Sequence, residues 1–243
     1  MAIEVNPGVI DRVRSGEVTH IALQLDEDNK NDILKNVIKN SLQFLVLSEG
    51  DKSCLVQILG VDTEPTVRFN HQGAGMPIIP VSNGDSCIWE VRFEVLPVLE
   101  KPKKYLMRWN PSISSFTEQD YEECVENMEN ETFRMNWSIY EWEEARRGDF
   151  FYMMRVGDDK AGIVFNGQFL SDPYPSDDWA GSTKRRMYVD MVCRNPVAPG
   201  ETPSVSLDKL KEAIPSIDWS KGHSGALLPT DVEEKLLELW SEE

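Results

Sequence analysis

The chain has 243 residues, 40% of them apolar and 28% charged, with 42 acids against 25 bases and a net charge of −17. This is the composition of a folded protein with room for one large domain or two ordinary ones. The excess of acid argues against non-specific binding to nucleic acid, which needs clustered Lys and Arg to displace counterions from phosphates.

No apolar run approaches the ~18 residues of a membrane span. The opening stretch MAIEVNPGVIDRVRSGEV has no basic start followed by an apolar block, so no secretory signal is expected. In chain order, DNKNDILKNVIKN places Ile33, Leu34, Val37 and Ile38 at helical spacing. Strands are expected at LQFLVL, at SCLVQILGV and at CIWEVRFEVLPVL, where Ile88, Val91, Phe93 and Val95 alternate imperfectly. The charged, Pro-containing LEKPKKYL reads as a linker, dividing the chain into domains 1–100 and 101–243. KYLMRW then begins a new strand pattern. SFTEQDYEECVENM reads as a helix with Thr117 as N-cap, answered by Asp120. Further strands are expected at GDFFYMMRV, AGIVFNGQFL and RRMYVDMVCR, and a short helix at SLDKLKEAI with Leu207, Leu210 and Ile214 on one face. PTDVEEKLLELW closes the chain as a helix, with a capping box between Thr230 and Glu233 and an apolar stripe of Val232, Leu236, Leu239 and Trp240. Short strands with peripheral helices, not alternating βαβ units, indicate the α+β class with a curled sheet or barrel.

The chain also resembles itself. FLVLSEGDKSCLVQILGVDTEP (44–65) parallels FYMMRVGDDKAGIVFNGQFLSDP (151–173), and WEVRFEVLPV (89–98) parallels YVDMVCRNPV (188–197). Two similar small barrels in tandem account for both pairs; the alternative is that any two hairpins with a Gly-Asp turn look alike.

Catalytic signals are missing. There is no G-x-S-x-G, P-loop or H-E-x-x-H, and Gly157, Gly162 and Gly167 do not match a dinucleotide fingerprint. Cys54, Cys87, Cys124 and Cys193 are far apart and only three His are present, so neither a metal site nor a cofactor is expected. The cysteines read as reduced core residues of a cytoplasmic protein. The seven Trp stand out. RWNPSISS and MNWSIYEW each set a Trp beside Asn and Ser at a strand end, where a side chain can face a pocket. Aromatic faces with amides and hydroxyls around them are how an extruded base is held. The alternative is that these Trp only plug barrel ends. Phosphate contacts would come from small basic islands: KPKK, Arg146–Arg147, or Lys184, Arg185 and Arg186 in TKRR, each otherwise a solvated turn.

Taken in succession, KYLMRWNPSISSFTEQDY, NWSIYEWEEARRGDFFYMM, AGIVFNGQFLSDPYP, MYVDMVCRNPVAPGETPSVSLDKLKEAI and HSGALLPTDVEEKLLELW resemble the EVE domain of the PUA-like superfamily, a relative of YTH and ASCH domains. The resemblance implies two PUA-like small β-barrel domains in tandem with peripheral helices. It implies a non-enzymatic protein whose partner is DNA or RNA carrying a modified base. By position, Trp109, Asn110 and Ser112 belong to one pocket wall and Asn136, Trp137 and Ser138 to the other. This sequence departs from the family there, with no Arg until Arg146. The first half is more weakly similar, on RSGEVTHIAL, to the ASCH Ser-Gly-x-Lys-Thr stretch. Val18 stands where the Lys on which ASCH amidohydrolases depend would be, so the resemblance argues against catalysis on acylated nucleosides. A competing reading is an acidic protein-interaction module or DNA mimic that meets a basic partner.

Overall fold

Residues 1–39, 43–66, 88–127, 133–178, 181, 185–194 and 203–241 are described by a computed structural model. The chain divides into two compact units, Met1–Val98 and Leu99–Glu243. The first contains β1 (Ala2–Glu4), α1 (Val9–Arg14), β2 (His20–Leu25), α2 (Glu27–Ile38), β3 (Phe44–Glu49), β4 (Lys52–Thr66) and β5 (Ile88–Pro97). The second contains β6 (Lys104–Trp109), α3 (Glu118–Asn127), β7 (Arg134–Ser138), β8 (Phe150–Arg155), β9 (Gly162–Phe169), β10 (Tyr174–Asp177) and β11 (Arg185–Arg194). It ends with β12 (Val205–Ser206), α4 (Leu207–Ala213), β13 (Ala226–Leu227) and α5 (Thr230–Ser241). The architecture is mixed α+β, with one sheet per unit.

In the first unit the strand order is β1-β3-β4-β5-β2, with β1 and β3 parallel and the other neighbours antiparallel. In the second, β6, β8, β9, β11 and β7 pair in the same order and the same senses, with β6 and β8 as the parallel pair. The two hairpins matched in the sequence, β3–β4 and β8–β9, occupy equivalent places in these ladders, as do β5 and β11.

The units differ in what happens at the edges. In the second, Tyr140 N donates to Ser224 O and Glu141 N to Gly225 O, each at 3.0 Å, while Gly225 N donates to Leu106 O at 2.9 Å. With β13 paired to β6, residues 224–227 join the end of β7 back to β6 and close the ring. Among the described residues of the first unit, no such bridge joins β1 to β2.

Strand composition reflects what lies on each side of the ring. Tyr105, Met107 and Trp109 of β6, Phe151 and Met153 of β8, and Val189, Met191 and Cys193 of β11 share one core cluster. The intervening Leu106, Tyr152 and Met154 join a second cluster beneath α4 and α5, with Leu210, Trp219, Val232 and Leu236. A strand buried on both faces reads as a continuous apolar run; hence FFYMM. The helices carry the stripes expected of them. Asp26 caps α2 by accepting from Asn29 N at 2.8 Å, and Ser206 caps α4 through Lys209 N at 3.3 Å. Thr117 and Asp120 cap α3 reciprocally, at 2.7 and 3.2 Å.

One expected cap is corrected. Thr230 is already the first helical residue of α5, Val232 N and Glu233 N both donate to Pro229 O, and the Glu233 carboxylate faces Lys104 at 3.5 Å. Cys54, Cys124 and Cys193 are buried free thiols, and Cys87 lies outside the described residues. No helix is long and apolar enough to cross a membrane among the described residues.

Gly167 is where the barrel tolerates no side chain. A Cβ there would lie 2.0 Å from Val192 O and 2.7 Å from the Phe151 ring. Gly167→Ala is therefore expected to lower stability by about 2 kcal/mol or more. Gly50→Ala, at φ 57° with open space around it, should cost about 1 kcal/mol from backbone conformation alone. Urea unfolding of the two variants measures the difference; equal losses would contradict the close approach.

Candidate functional site

The second unit carries a cavity of about 730 Å³. Three of the segments that line it are positioned by local chemistry. The first is the turn after β6. Asn110 Oδ1 accepts Ser112 N at 3.0 Å, and Asn110 O accepts Ser114 N at 2.9 Å, folding NPSIS back over the barrel end. Trp109 holds this turn from below, its Nε1 donating to Phe116 O at 2.7 Å. Gly157, at φ 97°, lets the Asn110 amide approach: a Cβ there would meet Asn110 Nδ2 at 2.5 Å. The second segment is β7, which contributes Met135, Asn136, Trp137 and Ser138. The third is Gly222–Ser224, delivered by the ring-closing strand.

Trp137 is half-buried and edge-on to Phe116, with ring centroids 6.3 Å apart at 89°. Its Nε1 donates to Ser224 Oγ at 3.0 Å, and the backbone N of Arg108 donates to the same oxygen at 3.0 Å. The indole nitrogen is thus committed, and what Trp137 can offer a ligand is its ring. At the rim, His223 stacks on Tyr140 at 4.1 Å, and Tyr140 is 61% exposed.

Of the residues expected from sequence, Asn110, Asn136, Trp137, Ser138 and Arg186 line this one cavity. Trp109 does not. It is fully buried against Phe116 and Tyr121, because it shares the inward parity of Tyr105 and Met107 on β6. Ser112 is exposed on the turn, outside the lining, its backbone N–H spent on Asn110. Arg185 is exposed, with Nη2 3.4 Å from Pro175 O, and is not in the lining either. Lys184 lies outside the described residues. Arg186 reaches the cavity, but its guanidinium pairs with the buried Asp178, Nε to Oδ1 at 2.7 Å, so much of its charge is already balanced. Sequence reasoning missed Phe116, Tyr188, Arg108 and Ser224. Only Phe116 had a local signal, as the aromatic ending the SISS turn.

The electrostatics are those of a settled site. Burial pushes the Cys124 thiol up to about 12, so this lining sulfur stays protonated at neutral pH. Beneath the turn, Arg155 is buried 5.4 Å over the Trp109 ring. Burial alone would lower its pKa. Hydrogen bonds to Asp158 and Glu118 more than offset this and hold it above the ordinary arginine range. The pairs measure 2.6 Å to Asp158 and 2.5 Å to Glu118. No group of three or more His, Cys, Asp or Glu among the described residues is placed to hold a metal.

No protein-family model and no curated protein matches the chain. Solved structures similar to it include a Pseudomonas syringae protein, 16% identical, TM-score 0.40, over 56% of this chain and 99% of the other. A Rhodopseudomonas palustris protein solved by NMR is 18% identical, TM-score 0.40, over 58% and 94%. The YTH domain of a Zygosaccharomyces rouxii protein, solved in complex with N6-methyladenosine RNA, is 13% identical, TM-score 0.34, over 59% and 89%. All three scores are low, and the reading of the site rests on its own geometry.

This geometry sets two expected outcomes. Trp109→Ala is expected to cost about 3–5 kcal/mol of stability, as a core truncation and not a loss of ligand contact; thermal unfolding of the variant checks it. Glu118 titrates below its ordinary 4.5 because Arg155 hydrogen-bonds its carboxylate, and burial opposes this only in part. A depressed folded-state value means stabilisation that is present above 4.5 and lost as the pH falls through the lower value. Glu118→Gln should therefore be less stable at pH 7, by up to about 1 kcal/mol for this partly exposed pair. The difference should vanish in acid, as read by urea unfolding at the two pH values.

Proposed function

We propose that Leu99–Glu243 is a PUA-like domain of the EVE type that binds, without catalysing a reaction, a modified nucleobase presented by a DNA or RNA strand. The observation that carries this reading is Trp137. Its N–H is tied to Ser224, and it lines a cavity of about 730 Å³ with the amides of Asn110 and Asn136 and the hydroxyl of Ser138. That volume is within the range of small-ligand sites, about 300–1,000 Å³. A flat ring stacks on the indole, and the amides and hydroxyls read its edge. Backbone phosphate is met at the rim by Arg186, with Arg185 beside it at the start of β11. In a chain of net charge −17, few phosphates are neutralised, so affinity depends on the pocket more than on counterion release.

The test is binding of single-stranded oligonucleotides that differ only in one central base, modified or unmodified, to the wild-type chain and to Trp137→Ala. A stacked base contributes about 1–3 kcal/mol, so the variant is expected to lose about fivefold to 150-fold in affinity for the preferred strand. Its melting curve serves as the control for folding. Equal binding of modified and unmodified strands, or no effect of removing the indole, would refute the proposal.

A further inference from the structure

Ser224, beside Arg108 in the cavity wall, has a hydroxyl hydrogen left to give. A serine hydroxyl has one proton to give and two lone pairs to receive. At Ser224 both lone pairs are filled, by Trp137 Nε1–H and by Arg108 N–H, each at 3.0 Å. No acceptor takes the Ser224 proton among the described residues. Its only remaining capacity is to donate, in a direction set by the two hydrogen bonds it already accepts.

Arg108 adds to this bias. Its guanidinium is held by backbone carbonyls, Nη1 to Trp219 O at 2.7 Å and Nη2 to Asp218 O at 3.3 Å, and its buried Nε has no partner. No carboxylate pairs with it among the described residues. Burial lowers its pKa, opposed only by the charge of Asp218. This cation is therefore neutralised less than Arg186 or Arg155, and it lines the same cavity.

We infer that Ser224 is a specificity-determining residue of the pocket, and that the ring it selects carries an exocyclic oxygen, as in an oxo-pyrimidine or a 6-oxopurine. This rests on the base-binding reading above and narrows it. A ring with an amino group at that edge would set N–H against O–H, leaving two buried donors unpaired, the arrangement that a hydrogen-bonding site rejects most strongly.

The experiment uses single-stranded nine-nucleotide DNAs with one central test base: cytosine, 5-methylcytosine, 5-hydroxymethylcytosine, thymine, guanine, adenine or N6-methyladenine. Affinities are measured for wild type, Ser224→Ala and Ser224→Thr. An oxo base is expected to bind wild type tightest. Replacing its exocyclic oxygen with sulfur, a weak acceptor of larger radius, should cost wild type and Ser224→Thr about three- to tenfold. The same change should cost Ser224→Ala less than about twofold. A steric cost of sulfur would be largest in Ser224→Thr, which adds a methyl, so equal penalties in wild type and Ser224→Thr assign the difference from Ser224→Ala to the hydrogen bond. If Ser224→Ala does not fold, Ser224→Cys, whose thiol is only a weak donor, takes its place in the sulfur comparison. Tightest binding of adenine or N6-methyladenine overturns the inference while leaving base binding intact. So does a sulfur penalty that is the same with and without the hydroxyl. If no strand binds and Trp137→Ala changes nothing, the base-binding reading itself has failed and this inference falls with it.

Discussion

A two-residue strand closes the second unit. β13 lies against β6, and the residues just before it receive hydrogen bonds from Tyr140 and Glu141 at the end of β7. An open sheet leaves a row of unpaired N–H and C=O groups on each edge, and ring closure removes them. Here the closure also places chemistry. Ser224 arrives beside Trp137 and Arg108 because its own backbone is part of the seam. Gly225 makes the approach possible: at φ 79°, a Cβ would stand 2.6 Å from the Ile139 side chain. The seam of the barrel and one wall of the cavity thus share one short segment, and a change that loosens one moves the other.

The shared pairing of the two units sharpens what this seam does. β1-β3-β4-β5-β2 and β6-β8-β9-β11-β7 use the same order and the same parallel pair, yet the described part of the first unit has no counterpart of residues 224–227. Its sheet keeps exposed apolar side chains, Phe44, Val46 and Leu55 among them. In the second unit the comparable hairpin is covered on its outer face by α4 and α5, with Tyr152 and Met154 packed among Leu210, Trp219 and Leu236. One ladder therefore supports two outcomes, and the difference lies in the elements that the second unit adds after β11.

Much of this was legible in residue patterns, and the failures have physical causes. KYLMRW and RRMYVDMVCR coincide with β6 and β11. α3 was marked by Thr117 and Asp120, whose reciprocal hydrogen bonds are purely local. β10, β12 and β13 are two to four residues long, too short for any period to register. They exist because a neighbouring strand supplies partners. Trp109 was misplaced although its parity was on view: Tyr105, Met107 and Trp109 alternate on one strand, so all three point inward. Asn110, Ser114 and Ser115 after it line the pocket while the indole supports the turn from below. Ser224 had no local signal, since its meaning comes from a donor 116 residues away in sequence.

Charge is distributed unevenly around the pocket. Among the described residues, three arginines at or beneath the cavity differ in how their charge is balanced. Arg155 is enclosed by Asp158 and Glu118. Arg186 is turned toward Asp178. Arg108 alone of these three rests on carbonyl dipoles, which orient a guanidinium without cancelling its charge. In a low-dielectric wall an uncancelled charge acts over a longer range than a paired one. The surrounding negative field disfavours any polyanion approaching without a good fit. On the base-binding proposal, a ligand reaches Arg108 only where it also meets Ser224, since both line the cavity.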